Sequence, residues 1–265
     1  MPVAPITLTS LSLATLFVAL MPVVLYRKLR KPFAFDWRDT ITGVAIFTLF
    51  ATLIERALNG FVLHNEGFAS VFVAHPAAFV AYGAIVAGVC EEVGRYIGMR
   101  LLLRRAASRS HASVDSTGLG YGIGHGGAEA WLVGVMVQLQ WIVFAVLANR
   151  GELDQHLTNL PMDAVLRVHL ILASLSPTLA GVFVIERAAA LVFQLGLSVL
   201  MWRGVRTGSK MILPVAIVAH ALIDVPAALY QARLVALPVA DGVYAVGAII
   251  VAAVLFRTCR RGAPA

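Results

Sequence analysis

Along this chain apolar residues come in long blocks, separated by short polar stretches, rather than at the spacing of an amphipathic helix or strand. About 20 apolar residues is the length a helix needs to cross the hydrocarbon core of a bilayer. Seven such blocks stand at about 6–26, 40–58, 77–103, 118–148, 177–202, 211–235 and 239–256. They predict an all-α, polytopic transmembrane helix bundle. Residues 163–176 (DAVLRVHLILASLS) add a short helix before Pro177, too short to cross alone, which makes eight helices. No linker or low-complexity tract divides the chain, so a single integral membrane domain over 1–265 is expected. The first block has no basic stretch before it and no small-residue cleavage site, and reads as an anchor rather than a signal peptide.

Composition agrees. Hydrophobic residues make up 60% of the chain and charged residues 13%, with a mean hydropathy of +0.85. Soluble domains sit nearer 45–50% and 25%. Cys90 and Cys259 form neither a disulfide framework nor a metal-type CxxC pair. The net charge of +7 is not a nucleic-acid signature, because of where it lies. Fifteen of the 21 Lys and Arg cluster in alternate connections: Arg27 to Arg38, Arg100 to Arg109, Arg203 to Lys210, and Arg257 to Arg261. Clusters on one side of the bilayer, facing anionic headgroups, predict an N-out/C-in topology.

Against that apolar background a few ionisable residues stand inside the blocks. The third carries Glu91, Glu92 and Arg95 in CEEVGRY. The fourth opens GLGYGIGHGGAEAW, with His125 and Glu129. The sixth has His220 and Asp224 in AHALIDVP, and the fifth has Glu186 and Arg187. Charged groups within a bilayer are costly and mark functional candidates. Glu91 and Arg95, His125 and Glu129, and His220 and Asp224 are each four apart, so each pair shares one helix face. At 1.5 Å per residue Glu91 lies about 20 Å from the basic boundary, and His220 about 15 Å, so the stripes can meet. Plain ion pairing accounts well for Glu186 with Arg187, which are adjacent and point in different directions. It accounts poorly for two histidines and four carboxylates around one arginine. The glycines at 118, 120, 122, 124, 126 and 127 let neighbouring backbones approach His125. His64, His75, His111, His156 and His169 lie in connections or near block ends.

A carboxylate facing an imidazole across a water is a general base with its helper. A second histidine held by an acid can donate to a developing oxyanion. Together they suit amide hydrolysis by an activated water, without a nucleophilic serine or cysteine. In this order, EExxR, a glycine-rich segment with a histidine, and HxxxD resemble the glutamic-type intramembrane proteases, the type II CAAX prenyl endopeptidases and their bacterial relatives. GxGHGGxEA is most similar to the bacterial YhfC family of intramembrane peptidases. The likeness covers roughly residues 85–226, within an expected peptidase-like core of about 77–235. It implies a multi-pass protein of the bacterial inner (plasma) membrane that cleaves a membrane-embedded or membrane-associated peptide. By the same resemblance Glu91, with Glu92, activates water together with His125. His220 and Asp224 form the oxyanion side, Arg95 orients the glutamates, and Glu129 completes the set. The arginine follows the pair after two residues, where prenyl proteases have three, and Asp224 stands where asparagine is common.

Other readings use the same residues. A zinc-dependent intramembrane metalloprotease would take His125, Glu129, His220 and Asp224 as N/O ligands, although no HExxH is present. No cofactor is otherwise expected. A proton-coupled transporter would use the buried acids and histidines as a relay, but EEVGRY has no counterpart in the second half. A non-catalytic membrane scaffold would keep the motif without turnover.

Overall fold

Ten helices carry the described chain, residues 2–106 and 114–259 of a computed structural model. They are α1 (Pro5–Phe33), α2 (Trp37–His64), α3 (Glu66–Ala74), α4 (Pro76–Ala106), α5 (Ser116–Arg150), α6 (Leu153–His156), α7 (Met162–Ser174), α8 (Pro177–Thr207), α9 (Ile212–Gln231) and α10 (Leu237–Thr258). Seven of them, α1, α2, α4, α5, α8, α9 and α10, are long and apolar enough to cross a membrane. The short helix expected before Pro177 is α7. Two further short helices, α3 and α6, lie in stretches that read as connections. Asn65 starts α3 by accepting from the backbone N–H of Gly67 (3.0 Å) and Phe68 (3.4 Å), an ordinary N-cap. Arg109, His111, Arg260 and Arg261 lie outside the described residues.

Leu16 and Phe17 on α1, and Val246, Ile249 and Ile250 on α10, are exposed. Hydrocarbon solvates such side chains and water does not.

The described residues group into two compact units, Met1–Met21 with Ala130–Ala188, and Pro22–Glu129 with Ala189–Ala265. In the first, Leu11, Ala14 and Val18 of α1 pack with Ala130, Val135 and Ala180 in small apolar clusters. Asn149 exchanges hydrogen bonds with Val3, donating to its carbonyl at 2.9 Å and accepting its N–H at 2.6 Å. Gly151, at φ 75°, lets α5 end in the left-handed conformation that a side chain would resist.

The second unit holds the main core, in which Ile46, Met99, Tyr121, Met201 and Trp202 pack together. Two close crossings shape it. Gly43 of α2 meets Gly124 of α5 backbone to backbone: a Cβ on Gly43 would stand 2.8 Å from the His125 nitrogen, and one on Gly124 would strike the Thr40 carbonyl. Gly88 of α4 lies against α9, where a Cβ would stand 3.0 Å from the Ile217 carbonyl. Overpacking of this kind costs about 1–3 kcal/mol when side chains can shift, and backbone cannot shift as readily. Gly124→Ala should therefore lower the thermal midpoint of the purified protein in detergent. Gly60→Ala has open space and should be neutral, or stabilised by up to about 1 kcal/mol through helix propensity. Equal midpoints for the two variants would mean that α2 and α5 separate freely.

Candidate functional site

The seven ionisable residues assigned to the site from the sequence fall in the second unit, and with Gln194 their side chains form one connected network. Glu91, Glu92 and Arg95 come from α4, His125 and Glu129 from α5, and His220 and Asp224 from α9. Arg95 is fully buried and sits at the centre. Its Nε donates to both oxygens of Glu92, at 3.1 and 3.0 Å. Its NH2 lies 3.2 Å from His125 Nε2 and 3.9 Å from Glu91 Oε2. Such a charge so far from water persists only when paired and hydrogen-bonded on all sides.

The histidines occupy different settings. His125 Nε2 stands 2.9 Å from Glu91 Oε2. Arg95 can only donate to that nitrogen, and an ionised Glu91 can only accept from it. That nitrogen has one in-plane site, so it either donates its proton to Glu91 or accepts from Arg95, and the shorter contact is the one to Glu91. Tyr121 stacks on the imidazole at 5.7 Å and Phe47 meets it edge-on at 5.1 Å, while Nδ1 is buried with no protein partner. His220 places Nδ1 2.7 Å from Glu92 Oε1, and its Nε2 is 3.4 Å from Asp224 Oδ2. Glu92, not the helix neighbour Asp224, is thus the close partner of His220. Since a carboxylate accepts, each ring nitrogen that faces one carries a proton, with Nδ1–H donating to Glu92 and Nε2–H pointing toward Asp224.

Access is one-sided. The side chains of Glu92, Arg95 and His125 have no exposure, whereas Glu91 keeps 11% and Asp224 30%. Glu129 is half-buried as well, so the network opens where Glu91, Glu129 and Asp224 lie.

Two participants had not been picked out. Gln194 and Ser198 of α8 sit one turn apart and both reach Arg95. Its NH1 bonds Ser198 Oγ and the Gln194 carbonyl (3.3 Å), and its NH2 bonds Gln194 Oε1. Gln194 Nε2 donates to Glu91 Oε2 (3.1 Å) and Glu129 Oε2 (2.8 Å). In FQLGLSV the two are polar residues four apart inside an apolar helix, a detectable signal without charge. Glu55 of α2 lies within electrostatic range of Glu91, His220 and Asp224. Asn59 donates to it (3.3 Å) and accepts from Tyr82 (2.8 Å). Glu186 and Arg187 lie in the other unit.

A zinc site drawn from His125, Glu129, His220 and Asp224 has suitable donors but not a suitable arrangement. The His125 nitrogen facing the network is taken by Glu91, and a guanidinium nitrogen stands 3.2 Å from it, where a cation would be repelled. Among the described residues no three His, Cys, Asp or Glu side chains converge closely enough to hold an ion. The residues as folded here do not fit a metal at His125.

Comparison with known proteins bears on the same region. The family model described as YhfC intramembrane metalloprotease matches residues 17–245. A protein of Bacillus subtilis (strain 168), named as the uncharacterized membrane protein YhfC, is 33% identical over 228 residues, spanning 83% of this chain and 84% of its own. No solved structure matches.

Proposed function

The chain belongs to the YhfC intramembrane metalloprotease family, is a multi-pass integral membrane protein, and, we propose, hydrolyses a peptide bond within the membrane with water activated by Glu91 and His125. The supporting observation is the 2.9 Å Glu91–His125 contact at the accessible edge of an otherwise closed network. Water entering there gives its proton to the Glu91–His125 pair as its oxygen adds to the carbonyl carbon. The resulting oxyanion is met by His220 Nε2, whose imidazole is fixed from behind by Glu92. The pair then returns the proton to the amide nitrogen as the C–N bond breaks, and Asp224 lies beside His220 at the opening. Arg95 holds both glutamates in register throughout. We take the second unit as the peptidase core; the expected 77–235 core covers its site-bearing helices and also takes in Ala130–Ala188 of the first unit.

The family's printed description names a metal, while the donor arrangement argues against one at His125. The deciding experiment is cleavage of a peptide library by purified protein in lipid nanodiscs, with and without a zinc chelator, beside metal analysis. The expected result is cleavage that persists in chelator and zinc well below one per chain. Stoichiometric zinc that disappears in His125→Ala, with activity lost in chelator, would transfer the water to a metal.

A further inference from the structure

Gln194 is an amide side chain that touches both the base and its arginine. We propose that it is a positioning residue which fixes Glu91 so that Oε1, not Oε2, faces the reacting water. The proposal rests on the reading of Glu91 as the base, and adds which of its atoms acts and what holds it.

The orientation of the Gln194 amide follows from its neighbours. Arg95 NH2 can only donate, so the atom it meets is the carbonyl oxygen Oε1. The amide nitrogen then faces two carboxylates, Glu91 Oε2 at 3.1 Å and Glu129 Oε2 at 2.8 Å, and spends one hydrogen on each. The usual ambiguity of an amide flip is absent. Only 5% of the residue is exposed, and a buried amide in an apolar helix persists when its bonds are made.

The consequence for Glu91 is asymmetric. Oε2 meets His125 Nε2 at 2.9 Å and the Gln194 N–H at 3.1 Å, which occupies both its lone pairs. Among the described residues no donor reaches Oε1, and the Glu91 side chain lies at the accessible edge. Oε1 is thus the oxygen with free lone pairs. The clamp also explains a glycine. A Cβ on Gly126 would stand 2.9 Å from Gln194 Cβ and 2.8 Å from Leu191 Cδ1, so its absence lets α8 bring the amide up to α4 and α5.

The test compares Gln194→Met, which keeps the volume and loses every bond, with Trp202→Phe. The latter, on the same helix and one turn beyond Ser198, removes the 2.9 Å bond from the indole to the Val114 carbonyl and no bond of the network. Fluorescein-labelled casein and the best-cleaved library peptide serve as substrates, and Glu91→Gln is run beside them. In Gln194→Met, kcat should fall by about 100-fold with KM within about threefold, because small misplacement of a reacting group costs rate rather than binding. Trp202→Phe should lose thermal stability and keep its kcat. A substrate-free readout accompanies these: in ¹⁵N-histidine spectra, with His125 assigned through His125→Gln, its Nε2 line should move in Gln194→Met and stay in Trp202→Phe. A wild-type kcat, or an unmoved His125 line, in Gln194→Met overturns the clamp while Glu91→Gln is inactive. Full cleavage by Glu91→Gln overturns instead the base reading beneath it.

Discussion

Glu91→Gln and His125→Ala should each slow peptide cleavage by about 1000-fold, and the double variant should be hardly slower than either. General acid–base groups contribute about 10²–10⁴ in rate, and groups that act as one unit are not additive when removed. These two meet across 2.9 Å, and in the proposed mechanism they handle the water's proton together. Once either is gone the other has nothing with which to exchange it. Glu91→Gln should still fold, because a neutral amide of the same shape replaces a carboxylate whose burial is costly. Glu186→Gln, in the other unit, should cleave within about threefold of the parent chain, and serves as the control for changing a carboxylate in this membrane protein. Cleavage rates and detergent thermal midpoints measured together separate chemistry from folding. Full activity of Glu91→Gln at normal expression would return Glu91 and His125 to structural ion pairing.

The spans were legible because a bilayer imposes a length on apolar blocks, and no packing detail is needed to count them. The ionised members of the network were legible because charge is rare in such blocks, and the i, i+4 spacing gives each a face. Partners across helices were not. His220 and Asp224 share a helix face in the sequence, yet the close partner of His220 is Glu92, from a helix more than 100 residues away in the chain. Gln194 and Ser198 went unnoticed because a neutral polar residue breaks no hydropathy rule. Glu55 stands near the end of the 40–58 block, where its charge alone was a signal, and only its facing needed the structure. It ends a π-helical stretch, Thr48–Glu55, and a wider turn rotates the face that a 3.6-residue period assigns. Ala130–Val135 makes a second such stretch directly after Glu129. The glycine-rich segment announced close packing but not its division of labour. Gly118, Gly122 and Gly126 face α8, whereas Gly120 and Gly124 face α2.

Arg95→Met should be the most damaging single change to stability, costing about 3–5 kcal/mol, the usual result of stripping one partner from a buried ion pair. The guanidinium is fully buried and binds Glu92 through Nε, Gln194 and Ser198 through NH1, and Gln194 again through NH2. Its loss leaves the fully buried Glu92 with His220 as its remaining close partner. Arg95→Lys keeps the charge but not the planar fork, so it cannot serve Glu92, Gln194 and Ser198 together. It should melt between Arg95→Met and the parent. Adding Glu92→Gln to Arg95→Met removes the stranded charge as well and should recover part of the lost midpoint, although cleavage stays lost in all three. The recovery discriminates between causes. If Arg95→Met were harmful only through lost packing volume, the second substitution would add damage rather than relieve it. A double variant that melts below Arg95→Met would therefore show that His220, not Arg95, is the counter-ion on which Glu92 depends.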